Sequence, residues 1–191
     1  MISDKLLNEI DRGRQGLNHG ISMKLPKLES IIDGVTRETY TLILSNSGAG
    51  KTSFALYAYV YRPLMEHLDD DDFKVLYFSL EMGEVALYIK LLSIYIFETY
   101  GIQLSFKKIL SREKEYILSD EHYDLVKQCM PWIDKISKKL EIYDKKVTPK
   151  KVYAILKTRL EEMGTFSESE TRLVYTPNNP NLIYNVVVDH I

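Results

Sequence analysis

Cysteine is almost missing from this chain: Cys129 is the single one in 191 residues. One thiol excludes an internal disulfide and a cysteine-rich zinc site, and it fits a reducing cytosol. The expectation for Cys129 itself is a small buried hydrophobe. Charge of one sign is missing too. The formal net charge is -2 and the pI about 6.1, so the overall balance does not mark a nucleic-acid binder, and any such contact must come from local basic loops. Long apolar runs are absent. The most apolar stretch, Val85 to Phe97, is interrupted by Lys90 and is shorter than the roughly 20 residues that span a bilayer, so it reads as a buried helix. The start, "MISDKLLNEIDRGRQG", sets acids among its apolar residues and has no signal-peptide run, which argues against secretion. No internal repeat or low-complexity tract stands out. His19, His67 and His122 lack metal-ligand spacing.

What is present is enough hydrophobic material, 45% of residues, for one well-buried core. Leu6, Leu7 and Ile10 share a face after a capping Ser3, with Gly13 as the stop, so residues 1–12 are expected to be a short amphipathic linker helix. Residues 13–38 read as an irregular lead-in punctuated by Gly16, Gly20, Pro26 and Gly34. The compact core is expected over 39–191.

That core opens with "TYTLILS", Thr39 to Ser45, an apolar β-rich run that suits a strand covered on both faces. A helix follows from about Lys51, and Pro63 is expected to kink or end it. Asp69 to Asp72 form a solvated turn. "KVLYFSL" is a second buried strand, leading through Glu81, Met82 and Gly83 into a helix that reaches about Tyr100. Residues 105–140 are mostly helical, with Leu125, Cys129, Trp132, Ile133, Ile136 and Leu140 as core contacts. "LEIYD" is a third strand, Thr148 with Pro149 starts a helix that stops near Gly164, 165–180 is an exposed loop or hairpin, and "LIYNVVVDHI" is the last strand. Strands alternating with helices at this spacing predict an α/β fold with a mainly parallel sheet flanked by helices.

"SNSGAGKT" lies between the first expected strand and its helix, the context of a Walker A phosphate loop. Backbone N–H groups of Ser47, Gly48, Ala49, Gly50, Lys51, Thr52 and Ser53 are candidates for holding phosphate at the helix N-terminus. The Lys51 ammonium is expected on the β- and γ-phosphates, and the Thr52 hydroxyl on Mg²⁺. Ser45 stands where the standard pattern has glycine, which a serine tolerates if its φ is negative.

Phosphoryl transfer to water needs a carboxylate that orients or deprotonates the water and another that serves the metal. Glu81 follows the second strand in "SLEM" and is assigned as general base. Asp189 closes the apolar run "NVVVD" in the Walker B manner and is assigned to Mg²⁺. His190 is most simply structural. Lys135, Lys138, Lys139, Lys145, Lys146, Lys150 and Lys151 are most simply a solvated face.

In this order and spacing, "SNSGAGKTSFAL", "VLYFSLEM", "LEIYDKKVTPKKVYAILKTRLEE" and "NVVVDH" resemble the motor domain of DnaB-type replicative DNA helicases, over about residues 14–191. The resemblance implies a RecA-like P-loop ATPase core that hydrolyses ATP with Mg²⁺ and unwinds duplex DNA. It implies single-stranded or forked DNA as partner, a hexameric ring with nucleotide between subunits, and a bacterial or phage-infected bacterial cytoplasm rather than a membrane. It supports Lys51, Thr52, Glu81 and Asp189 in the roles above. The chain departs from the family at His190, where a tyrosine is usual, and in an enlarged 165–180 loop, and the family's N-terminal primase-interaction domain is expected to be missing. The sensor strand, central DNA loops and arginine finger that the family carries downstream of Walker B are expected to be missing, leaving the isolated chain weak or inactive. Rival readings are a recombinase or regulatory ATPase on the same core, a small-molecule P-loop kinase, for which an Arg-rich lid is missing, and a non-catalytic interaction module with a degenerate site.

Overall fold

The computed structural model describes residues 2–16, 18–169 and 172–189, and they divide into two compact units, up to Glu66 and from His67. In the first unit, α1 (Ile2–Arg14) carries Asp4 in its first turn and Arg12 and Arg14 in its last, each sign at the end the helix dipole favours. The expected cap and stop do not bound it. Ser3 lies inside it rather than capping it, and the Gln15 amide still bonds the Asp11 carbonyl at 3.2 Å, so Gly13 does not stop it; one interior glycine costs only about 1 kcal/mol. Its apolar face, Leu6, Leu7 and Ile10, is exposed.

The lead-in is irregular, as expected, apart from α2 (Pro26–Glu29) and a reciprocal backbone pair between Ile21 and Val35 at 3.0 and 2.9 Å. The expected strand over Thr39 to Ser45 does not form. The segment has no regular secondary structure and lies outside any ladder, with Tyr40 82% and Leu44 80% exposed. β-rich composition supplies only the capacity for a strand, which exists once another backbone takes up its N–H and C=O groups. A helical run then starts with α3 (Lys51–Ala55), widens into π-type turns over Leu56–Tyr61, and tightens again in α4 (Arg62–Glu66). Pro63 therefore does not end the helix. The wider turns just before it accommodate the lost N–H and the ring, a distortion rather than a stop.

The second unit is α/β: a three-stranded parallel sheet flanked by helices. Its strands are β1 (Phe73–Ser79), β2 (Leu140–Tyr143) and β5 (Ile183–Asp189), in the order β2-β1-β5. β1 is buried along nearly its whole length, as befits a central parallel strand with cover on both faces. After it comes α5 (Glu84–Tyr100), which buries Leu87, Leu91, Leu92 and Ile96 and so bears out the buried-helix reading of the most apolar stretch.

Short α6 (Phe106–Ile109), α7 (Asp120–Gln128) and α8 (Met130–Ser137) follow. Leu92, Ile96, Leu104 and Cys129 form a buried cluster there, so Cys129 is the apolar filler it was expected to be. Tyr95 stacks on Trp132 at 4.1 Å between centroids.

β2 leads to α9 (Pro149–Met163), begun as predicted by a Thr148 cap over Pro149, the threonine hydroxyl accepting from the Lys151 amide. Arg159 on α9 holds both carboxylate oxygens of Glu141 on β2, at 2.9 and 2.8 Å, a forked contact that fixes helix against strand. The 165–180 segment is a hairpin: β3 (Gly164–Ser169) pairs antiparallel with β4 (Arg172–Pro177), with Phe166 packed on Tyr175 at 5.0 Å. No described helix is long and apolar enough to cross a membrane.

Candidate active site

The residues expected to form a phosphate loop lie in the first unit. Gly48 and Gly50 take φ values of 79° and 91°, a region that costs a side-chain-bearing residue about 1–2 kcal/mol. A Cβ on either glycine would meet nothing within 4 Å, so the backbone twist, not crowding inside the chain, is what demands glycine. Ser45 is not among the residues of positive φ, which is the condition under which serine replaces the usual first glycine without strain.

Lys51 folds back across the loop. Its Nζ donates to the Ser45 carbonyl at 3.0 Å and the Asn46 carbonyl at 3.2 Å, holding both ends of the turn together. These are weak acceptors for an ammonium, and phosphate oxygens would replace them with stronger, charge-assisted bonds. The Ala49 amide bonds the Asn46 carbonyl at 3.3 Å, so it closes the turn instead of facing outward as the motif suggested. The Phe54 amide reaches the Gly50 carbonyl at 2.9 Å and starts the helix at Lys51. Ser47 and Ser53 are exposed and Thr52 is half-buried.

The two candidate acids lie in the second unit and share one edge of the sheet. Phe78 pairs with Tyr143 and Ser79 with Asp189, so all three strands end in line, and Glu81 follows two residues beyond Ser79. This carboxyl edge is where open parallel sheets bind ligands. Ser79 closes the turn after β1: its hydroxyl donates to the Met82 carbonyl at 2.6 Å and accepts from the Met82 amide at 3.2 Å. Glu81 sits exposed at the crest of that turn. Asp189 is buried, 9% exposed. His190, noted in the sequence, falls outside the described residues.

Two further residues at this edge escaped the sequence reading. Tyr77 on β1 pairs with Val187, which places it on the same sheet face as Asp189 two residues on, and its hydroxyl donates to Asp189 Oδ2 at 3.0 Å. Burial first, and the Asp189 charge second, push the Tyr77 phenol well above its ordinary range, so it remains a proton-bearing donor throughout the physiological range. Asp144, just past β2, accepts the Glu84 amide at 3.0 Å and so caps α5 from a different strand, since Gly83 offers no side chain for the task. A signal existed for Tyr77: a tyrosine in the middle of a mostly apolar strand carries a hydroxyl that needs a partner. For Asp144 none existed, because its role depends on strand order.

The Thr52 hydroxyl in the first unit is a hard donor of the kind Mg²⁺ takes, and so, considered by itself, is the Asp189 carboxylate in the second. No group of three or more His, Cys, Asp or Glu side chains among the described residues gathers as a metal cage. Mg²⁺ in nucleotide sites uses one or two protein ligands with phosphates and water, so this chemistry fits an ion brought with ATP. No protein-family model matches the chain, and no curated protein matches it.

Proposed function

We propose that this chain carries the nucleotide-binding part of a RecA-like P-loop ATPase, the motor of a DnaB-type replicative DNA helicase. The observation that carries the reading is the Ser45–Thr52 loop, with two left-handed glycines, a lysine folded over the loop carbonyls and a helix that starts at that lysine. A turn built this way holds phosphate through backbone amides, the helix dipole and one mobile ammonium.

In this reading Lys51 exchanges its carbonyl partners for the β- and γ-phosphates of ATP. Mg²⁺ bound with ATP, which the Thr52 hydroxyl would help hold, would supply positive charge to those phosphates. Glu81, exposed at the turn after the central strand, and Asp189 are the second unit's own candidates for the general base and the magnesium-site acid. DNA as the polymer that the motor follows, and a hexameric ring as its assembly, come from the likeness of the four sequence segments alone.

The test is ATP hydrolysis by the complete gene product with and without single-stranded DNA, alongside Lys51→Ala and Glu81→Gln. Stimulation by DNA that both variants abolish is the expected result. Basal turnover that DNA leaves unchanged would move the assignment to a regulatory ATPase or a small-molecule kinase, and no nucleotide binding at all would leave an interaction module.

A further inference from the structure

The amino end of the second unit's sheet, opposite the edge with Glu81 and Asp189, holds a cavity of about 390 Å³ between the strand starts, the end of α8 and α9. That volume suits a small molecule. Register assembles its floor. Lys74 pairs with Tyr184 and Leu76 with Glu141, and alternation along β1 sets Lys74 and Leu76 on one face, so Lys74, Tyr184 and Glu141 project to the same side. Lys74 is the one residue of β1 that is not buried, and its only charged one. A lysine in a covered strand needs a polar place for its ammonium, and the cavity is that place.

The polar groups lining this cavity are unevenly used. Its acceptors are taken: Arg159 donates to the two oxygens of Glu141 at 2.9 and 2.8 Å, and to Glu162 at 2.9 Å. Its donors are not. Among the described residues Lys74 and Lys138 make no ion pair, and the half-buried Tyr184 makes no hydrogen bond through its hydroxyl. Burial first, and the Glu141 charge second, raise the Tyr184 phenol above its ordinary range, so it keeps its proton. Charge is uneven as well. Lys74, Lys138, Lys139 and Arg159 stand against two carboxylates, an excess of two positive charges in a chain whose formal net charge is -2. Lys139 donates to the Asp70 carbonyl, which leaves its charge uncompensated.

We infer that this cavity binds a small phosphomonoester, with the phosphate held by the Lys74 and Lys138 ammoniums and the Tyr184 hydroxyl. A phosphate monoester carries about -1.5 to -2 charges at neutral pH and offers three strong acceptor oxygens, which matches both the excess and the three open donors. A single carboxylate would balance half of it. Met163 and the Tyr184 ring line the same space and give the rest of the ligand an apolar surface. The forked Arg159 contact fixes α9 against β2, so these walls are in place before a ligand arrives. The site is built from the second unit alone and does not need the nucleotide reading.

The experiment is an amide NMR titration of the full chain carrying Lys51→Ala, which removes the phosphate-loop ammonium, with ribose 5-phosphate and with ribose. Saturable shifts of the Lys74, Lys139 and Tyr184 amides with ribose 5-phosphate, and none with ribose, are expected. On that background Lys74→Gln and Lys138→Gln should each weaken ribose 5-phosphate about 10-fold, and Tyr184→Phe about 3-fold. Lys145→Gln makes the same change of net charge at an exposed lysine outside the cavity, and should leave the affinity as it was. The inference is overturned by shifts confined to Gly48–Thr52, by shifts equal with ribose, or by no saturable shift. It is overturned too if Lys145→Gln weakens binding as much as Lys138→Gln does. Should Lys74→Gln fail to fold, the exposed Lys138 decides: an unchanged affinity in Lys138→Gln overturns the inference.

Discussion

Two stretches of this chain share one grammar and meet opposite ends. "TYTLILS" before the phosphate loop and "FKVLYFS" before Glu81 are both apolar, β-rich, closed by serine, and followed by a tight turn and a helix. The second is a central strand paired on both sides, with Phe73, Val75, Leu76, Tyr77 and Phe78 buried. The first is irregular chain with Tyr40, Leu42 and Leu44 exposed. Intrinsic preference does not separate them, since both offer alternating β-branched and aromatic residues. Pairing does: β1 has Leu140–Tyr143 on one side and Ile183–Asp189 on the other, and Thr39–Ser45 belongs to no ladder. A strand is thus a property of at least two segments, whereas the turn after it, set by glycine φ values, is a property of one.

The largest effect expected from this contrast is in the paired strand. Phe78→Ala should cost about 3–5 kcal/mol in denaturant unfolding of the second unit, because a wholly buried ring leaves a cavity. A cost below about 1 kcal/mol would mean that β1 is not the packed centre described. Next comes the loop. Lys51→Ala removes an ammonium whose bonds to phosphate are worth roughly 1.5–3 kcal/mol, so labelled-ATP affinity should fall about 10-fold to 100-fold while the thermal midpoint holds. A fall in both together would show that the lysine's contacts to Ser45 and Asn46 support the fold instead.

Smaller effects sharpen the same comparison. Thr148→Ala, which removes the α9 cap, should cost about 1 kcal/mol in the second unit by the same denaturant measurement. Leu44→Ser should stay within about 0.5 kcal/mol, as exposed substitutions do. A cost of several kcal/mol there would break the comparison, since it would require Leu44 to be buried in a strand.

The smallest effect is nil at neutral pH and visible only in alkali. Burial, and then the Glu84 charge, push the Tyr88 phenol up to about 12, while an unfolded tyrosine ionises near 10. Between those values the unfolded state holds fewer protons than the native one, so stability falls as pH rises. Unfolding midpoints in this range should decline less steeply for Tyr88→Phe than for the wild type. Equal slopes would remove Tyr88 as a cause.

Much of the second unit was legible in its residues. "KVLYFSL", "LEIYD" and "LIYNVVVDHI" each hold a strand within a residue or two, and Thr148 with Pro149 marks the start of α9. These signals are local: a cap bonds an amide three residues away, and periodicity lies within one element. The C-terminal end of α1 was misjudged because Gly13 was read as a stop, when one glycine is a cost that neighbouring turns can absorb; Pro63, expected to kink or end its helix, distorts it without ending it. At the candidate site, the loop residues and both acids were named from order and spacing. Tyr77 and Asp144 were not, because each acts on a partner 112 and 60 residues away that only strand register and order bring near.

The sequence by itself determined where turns fall, which segments can be helix or strand, that Gly48 and Gly50 stand in a glycine-rich turn just before a helix, and that Glu81 and Asp189 follow apolar runs. Those are matters of bonded geometry and near-neighbour chemistry. Tertiary structure alone decided that β1 lies between β2 and β5, that Asp189 is buried against a tyrosine hydroxyl, and that Thr39–Ser45 stays outside every ladder. The physical reason is that burial and ladder bonds are shared between segments far apart in the chain, so no single segment carries enough information to fix them.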